Sequence, residues 1–104
     1  MRYYPVCLDI KGKNCLVVGG GSVGSRKVGT LLKCGAIVKV ISRHFTEKLE
    51  ETGLKGDLEL VRRDYTADDL SGNFLVIGAT DNKGLNLQIK KDADERNIDR
   101  KSVV

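Results

Sequence analysis

The residues from Gly19 to Gly24 read GGGSVG and have the spacing Gly-x-Gly-x-x-Gly of a phosphate-binding turn. In such a turn Gly19 permits a tight bend, Gly21 lets a pyrophosphate approach the backbone, and Gly24 lets the next helix lie close to the sheet. The amides of Ser22 and Val23 would then face the anion at the positive end of a helix dipole. This segment, called the glycine turn below, therefore predicts binding of a nucleotide phosphate.

The alternative is a packing turn without a ligand, and the neighbouring elements favour a binding site. Asn14 to Val18 is a short apolar run that ends at the glycines, which is typical of a strand buried in a parallel sheet. From Ser22 to Cys34 the apolar residues share one helical face, and Gly35 supplies a C-terminal stop. A strand that leads through glycines into a helix is the context in which this pattern binds dinucleotides.

The residues after the second predicted strand leave the choice of nucleotide open. A dinucleotide site usually carries an Asp or Glu about 20 residues after the glycines, where it holds the ribose hydroxyls. In this chain the place reads Ser42-Arg43-His44. Ser42 can hydrogen-bond a ribose, and Arg43 can accept a 2′-phosphate or stack on adenine, so NAD and NADP are both compatible. His44, the single histidine, is more typical of a solvated loop than of a catalyst.

A polar segment, Ala79 to Asn82, follows the fourth predicted strand. Ligands of open parallel sheets bind beyond the carboxyl ends of the strands, so Thr80 and Asp81 should face the same crevice as the glycine turn. For Asp81, a role as cap or first-turn acid of the next helix is an equal alternative. The segment therefore predicts a second wall of the site, with Thr80 as a binding residue.

Strands and helices alternate along the whole chain. The predicted strands are 14–18, 36–42, 58–65 and 73–80, and the predicted helices are 22–34, a short one closed at Gly53, and 85–97, with a turn near 66–72. This order predicts an α/β fold, a Rossmann-like doubly wound parallel sheet in a single domain over residues 1–104.

Composition narrows the class of protein. The chain is 40% apolar and 31% charged, and no run approaches the roughly 20 apolar residues of a membrane span, so we expect a cytoplasmic protein that does not act on membranes. The 18 Lys and Arg and 14 Asp and Glu are spread along the sequence, and aromatic residues do not interleave with basic ones, which disfavours nucleic-acid binding. Cys7, Cys15 and Cys34 are widely spaced, which favours reduced core thiols over disulfides or a metal site.

Several motifs together resemble the amino-terminal domain of siroheme synthase and the stand-alone precorrin-2 dehydrogenases. The likeness runs from Tyr4 to about Ile98 and includes YPVCLDIKGK, GGGSVGSRK, and ATD followed by Asn86. It implies NAD-dependent oxidation of the tetrapyrrole precorrin-2 to sirohydrochlorin, followed in some relatives by insertion of ferrous iron to make siroheme. A non-catalytic NAD(H)-binding or sensing module is the alternative function.

The resemblance also implies roles for individual residues. It places NAD on the glycine turn, with Ser22 and Val23 at the pyrophosphate and Arg43 and His44 beside the adenosine ribose. The tetrapyrrole carries many carboxylates, for which Arg26 and Lys27 are candidate partners, although a solvated helix face explains them equally well.

The resemblance further implies a homodimer and, in the strand after Ile98, a motif like N-V-V-D whose aspartate acts in dehydrogenation and chelation. The sequence NIDRKSVV, which ends at Val104, has no counterpart of that aspartate or of the dimerisation region. We therefore assign no catalytic or metal-binding residue, and we expect poor or no dehydrogenation and no iron insertion from these 104 residues alone.

Overall fold

A computed structural model describes residues 10–56 and 58–95 of the chain. The elements in this part are β1 (Asn14–Val18), α1 (Ser22–Lys33), β2 (Ile37–Ser42), α2 (Glu47–Leu54), β3 (Leu58–Arg62), a 3₁₀ turn (Ala67–Leu70), β4 (Leu75–Gly78) and α3 (Lys83–Glu95). None of the described helices is long and apolar enough to cross a membrane.

The strands form one parallel sheet in the order β3-β2-β1-β4. The chain first moves outward from β1 to β2 and β3, then crosses back to place β4 on the other side of β1. In the register of the sheet, Val18 at the end of β1 lies between Ile41 and Gly78. The predicted Rossmann-like doubly wound parallel sheet is confirmed, and its strand order reverses beside the end of β1.

Helices cover both faces of the sheet because both faces of its central strand are apolar. Successive residues of a strand point to opposite sides, so β1 sends Val17 into one core layer and Leu16 into the other. The first layer includes Val28 of α1, and the second includes Ile89 of α3. Burial on both faces fixes how β1 presents the glycine turn at its end.

Some element boundaries differ from those that the sequence predicts. The third strand ends at Arg62 instead of Tyr65, because Arg62 pairs with Ser42 and β2 itself ends there. The last helix begins at Lys83, two residues before the predicted start, because the Asn82 side chain accepts the Leu85 amide hydrogen at 3.0 Å and caps it. Its predicted end at Asn97 lies outside the described residues.

The cysteines differ from one another. Cys15 is a buried free thiol in β1, and burial raises its pKa to about 11. Cys34 is in a disulfide, so the prediction of a reduced thiol was wrong for this residue. Spacing in the sequence does not report proximity: the segment before β1 lies against the end of α1, where the Gly12 amide donates to the Gly35 carbonyl oxygen at 2.8 Å. Cys7 lies outside the described residues.

Candidate functional site

A cleft of about 430 Å³ opens beyond the carboxyl ends of β1, β2 and β4. Its walls are residues 19–23 of the glycine turn, Ser42 with residues 44–46 of the β2–α2 loop (residues 43–46), and residues 79–81 of the β4–α3 loop (residues 79–82). The cleft therefore lies at the point where the strand order reverses, which is the usual ligand position in an open parallel sheet.

Gly19 and Gly20 connect the glycine turn to both neighbouring loops. Gly19 has φ +124°, and a Cβ there would overlap the Ala79 carbonyl oxygen. A Cβ on Gly20 would overlap the His44 carbonyl oxygen and stand 2.8 Å from the Phe45 ring. The Gly20 oxygen also accepts the Thr46 amide hydrogen at 3.0 Å. The turn is thus held between the β4–α3 and β2–α2 loops by contacts that leave no room for side chains.

Gly21 and Gly24 have different roles. Gly21 is the N-cap of α1, has φ −85°, and a Cβ on it would meet nothing within 4 Å, so it presents bare backbone to the cleft. Gly24 is buried, and a Cβ on it would overlap the Gly19 carbonyl oxygen, so it allows α1 to approach the turn. Close approach of the helix is thus the role of Gly24, whereas approach of a pyrophosphate to Gly21 stays a prediction.

The amino-terminal end of α1 is available to an anion. The first amides of a helix have no intrahelical acceptor. No side chain caps α1, and its first turn contains no acidic residue. Ser22 and Val23, which begin the helix, both line the cleft. The end of the helix thus combines amide donors with the positive end of a dipole, as a phosphate site requires. Arg26 and Lys27 lie further along α1 and are not part of the cleft lining.

The structure separates the predicted residues that follow β2. Ser42 and His44 line the cleft, and the Ser42 hydroxyl oxygen accepts the His44 backbone N–H at 3.4 Å. Arg43 does not line the cleft: its Nε lies 2.9 Å from Oδ1 of Asp64, and both side chains are 71% exposed. Arg43 instead lies in an adjoining depression with His44, Arg62, Arg63 and Asp64.

The β4–α3 loop is fixed by a side-chain network. Oδ1 of Asn86 accepts the Thr80 backbone N–H at 3.2 Å and lies 2.7 Å from the Thr80 hydroxyl, while its Nδ2 donates to the Thr80 carbonyl oxygen at 3.0 Å. Thr80 therefore lines the cleft with a hydroxyl already engaged by the protein. Asp81 is exposed and lines the cleft, whereas Asn82 caps α3 and the first turn of that helix has no acid. Asp81 is therefore neither the cap nor a first-turn acid of α3.

Two cleft residues were missed by sequence reasoning as parts of the site: Phe45 and Thr46. Gly20 occupies a variable position of the glycine pattern, and nothing in that pattern signals its contact with the β2–α2 loop. Thr46 is the N-cap of α2, and its hydroxyl accepts the Leu49 amide hydrogen at 3.2 Å. A cap that follows a strand by a few residues is the one available signal, because it brings the start of α2 to the same edge of the sheet.

The parallel sheet, the glycine turn and the cleft at its switch point define a nucleotide-binding domain of the Rossmann-like class. The chain belongs to the NAD_binding_7 family, described as "Putative NAD(P)-binding", whose model matches residues 6–101. Within residues 10–56 and 58–95, no group of three or more His, Cys, Asp or Glu side chains could hold a metal ion.

Curated relatives include siroheme synthases. The chain is 39% identical over 98 residues to the siroheme synthase of Photorhabdus laumondii, covering 94% of this chain and 21% of the relative. It is 43% identical over 89 residues to that of Nitrosococcus oceani, covering 86% of this chain and 19% of the relative. The chain thus spans about a fifth of the length of these enzymes, and the predicted resemblance is confirmed.

Solved structures show the same relationship. The structure named SirC, precorrin-2 dehydrogenase, has a TM-score of 0.74 and 32% identity, covering 79% of this chain and 41% of that one. Shikimate dehydrogenase from Aquifex aeolicus has a TM-score of 0.54 and 26% identity, covering 69% and 26%. The chain is therefore similar to dehydrogenases, and more similar to SirC than to shikimate dehydrogenase.

Proposed function

We propose that this chain binds NAD in the cleft and is the cofactor-binding part of a precorrin-2 dehydrogenase in siroheme biosynthesis. The main support is the geometry of the glycine turn: Gly21 presents bare backbone to the cleft beside an uncapped helix end. The family match supports a nicotinamide dinucleotide as the cofactor, and the similarity to SirC supports precorrin-2 as the substrate. A nicotinamide cofactor would supply the hydride acceptor for the oxidation.

The residues present fit such a cofactor. In the proposal, the amides of Ser22 and Val23 bind the pyrophosphate, because they begin α1 at its uncapped end and line the cleft. Ser42 and His44, at the end of β2, contact the adenosine ribose. Thr80 supports the opposite wall through its backbone, since its hydroxyl is already within 2.7 Å of Asn86. These residues bind and orient the cofactor, which is what hydride transfer chiefly needs.

NAD rather than NADP is the proposed cofactor, on the basis of Arg43. An arginine at this place in the fold would favour NADP if its guanidinium were available to a 2′-phosphate. Here its Nε lies 2.9 Å from the Asp64 carboxylate. A 2′-phosphate that approached Arg43 would also meet the negative charge of Asp64, and the repulsion offsets the attraction.

The proposed substrate is precorrin-2, as in SirC. Iron insertion and a homodimer are features that the family resemblance implies, and we do not base the proposal on either. The alternative, a module that binds NAD(H) without chemistry, makes the same prediction for cofactor binding and differs only in turnover.

The test has two stages. NADH is titrated into the 104-residue chain and followed by nicotinamide fluorescence, with the Gly21→Val variant as the disrupted site. Precorrin-2 and NAD are then supplied anaerobically, and sirohydrochlorin is followed by its absorbance. Binding with turnover supports the proposal. Binding without turnover, including when the chain is joined to the remaining length of a siroheme synthase, would favour the sensing module, and no NADH binding would refute both.

A further inference from the structure

We propose that Arg62, which lies outside the cleft at the end of β3, is a positioning residue that holds the β2–α2 loop against the cofactor. The inference rests on the proposed NAD binding and deepens it. Arg62 contacts three features near the loop: Nη1 donates to the Arg43 carbonyl oxygen at 3.4 Å, the guanidinium carbon lies 4.9 Å from the Phe45 ring centroid, and Nη2 lies 3.0 Å from Oε2 of Glu50.

The β2–α2 loop needs such support because it lies beyond the last strand pair. The ladder between β2 and β3 ends at Ser42 and Arg62, and the loop residues that follow have no strand partner there. On the cleft side, the Thr46 amide donates to the Gly20 oxygen at 3.0 Å, and the Phe45 ring lies over Gly20. The loop is therefore held by the glycine turn on one side and by Arg62 on the other.

The geometry uses properties that belong to arginine. A guanidinium is planar, so it can stack on an aromatic face while its N–H groups donate at its edge. In this chain the Arg62 guanidinium lies over the Phe45 ring, donates to the Arg43 carbonyl oxygen and pairs with Glu50 on α2. The side chain is 56% exposed, so its ion pair alone contributes little to stability. Its expected effect is on where Phe45 and the loop stand, and hence on the adenosine half of the cofactor.

The next residue, Arg63, is a matched control. It has the same chemistry and lies in the same depression, but its Nη1 lies 2.9 Å from the Asp69 carboxylate and 3.0 Å from the Asp64 carbonyl oxygen. The hydrogen bond from Arg63 lowers the pKa of Asp69, which belongs to the 3₁₀ turn. Arg63 therefore stabilises a turn away from the cleft wall.

The experiment compares the wild-type 104-residue chain with Arg62→Met, Arg62→Lys and Arg63→Met. NADH, 5′-AMP and nicotinamide mononucleotide are the probes, and chemical unfolding is measured for each variant. We expect Arg62→Met to weaken NADH and 5′-AMP binding about fivefold and to leave nicotinamide mononucleotide binding unchanged. Arg62→Lys should recover part of the loss, and Arg63→Met should bind all the probes like the wild type.

Several results would overturn the inference. If Arg62→Met binds 5′-AMP with wild-type affinity, the inference is refuted and the proposed function is not. An equal loss of affinity for 5′-AMP and nicotinamide mononucleotide would also refute the inference, because it would show a general structural role. If Arg62→Met does not fold, Glu50→Gln keeps the arginine and removes its anchor, and it must weaken 5′-AMP binding more than nicotinamide mononucleotide binding. A wild-type chain that binds no NADH would instead refute the proposed function, and this inference with it.

Discussion

At the scale of single residues, the glycine turn contains glycines with unlike physical reasons. Gly19 needs its positive φ of +124°, whereas Gly24 needs the missing Cβ because the Gly19 carbonyl oxygen occupies that space. Gly21 needs neither, since its φ of −85° suits any residue and its Cβ position is open. Because neither the backbone conformation nor the packing requires glycine at position 21, its place at the mouth of the cleft favours a role in ligand binding.

Replacing Gly21 by valine should weaken NADH binding at least about tenfold, or about 1.4 kcal/mol, while the fold survives. The side chain would project into the cleft and displace the phosphate from the amides of α1. Fluorescence titration measures the affinity, and circular dichroism checks the fold. Gly29→Val is the control, because a Cβ at Gly29 also meets nothing within 4 Å but lies away from the cleft lining. Equal NADH affinity in the Gly21 variant and the wild type would disprove the assignment.

Replacing Asp64 by asparagine should shift the cofactor preference toward NADP. The change frees the Arg43 guanidinium from the carboxylate 2.9 Å away and removes a negative charge that would face a 2′-phosphate. We expect NADPH to gain about threefold to tenfold in affinity while NADH changes little, because an exposed ion pair is weak. Competition titrations at low ionic strength measure the ratio. Asp68→Asn, on the 3₁₀ turn, makes the same charge change elsewhere and should leave the ratio as it is.

At the scale of elements, the cleft is built from segments that follow three neighbouring strands. The glycine turn lies between the two loops, and each loop is also hydrogen-bonded to a residue outside the cleft lining. Arg62 of β3 donates to the β2–α2 loop, and Asn86 of α3 is hydrogen-bonded to the β4–α3 loop. Support by rigid elements sets the positions of Ser42, His44 and Thr80 before any ligand binds.

Replacing Asn86 by alanine should lower both the free energy of unfolding and the affinity for NADH. The change leaves the Thr80 N–H and carbonyl without their side-chain partners, at a cost of about 1–3 kcal/mol. Urea unfolding and NADH titration report the two effects. Gln88→Ala is the control on the same helix, since Gln88 bonds only Asp92 among the described side chains and is exposed. Full stability in Asn86→Ala would contradict the role of this network.

At the scale of the whole molecule, β1 links the core to the site. Val17 is completely buried in the strand that carries the glycine turn, and Cys15 is 1% exposed at the start of the same strand. Exposure of Cys15 thus requires the sheet to open, so its chemistry reports global stability.

Stability should fall in alkaline solution because of Cys15. Burial raises the pKa of its thiol from 9.0 to about 11, so the folded protein holds the proton that the unfolded chain releases. The resulting contribution is complete below about pH 9 and is lost as the pH rises toward 11. Urea unfolding at several pH values measures it, with Cys15→Ala as the comparison. An identical pH dependence in that variant would assign the loss to other groups.

A thiol reagent at pH 8 should modify Cys15 only on unfolding.

Local patterns in the sequence determined the order of elements, the parallel sheet and the place of the glycine turn. Apolar periodicity and the spacing from Gly19 to Gly24 act over a few residues, so they can be recognised without the fold. They also led to Ser22, Val23 and Thr80, whereas the family resemblance led to His44, and all of these residues line the cleft.

Only the tertiary structure decided which of the polar residues share the cleft. Arg43 lies two residues before Phe45, yet it pairs with Asp64 from another strand end. Gly20, an unremarked position in the motif, contacts the β2–α2 loop, and Arg62 supports that loop from β3. These contacts join residues far apart in the sequence, and their partners are chosen by packing and strand register. No spacing along the chain encodes such distances.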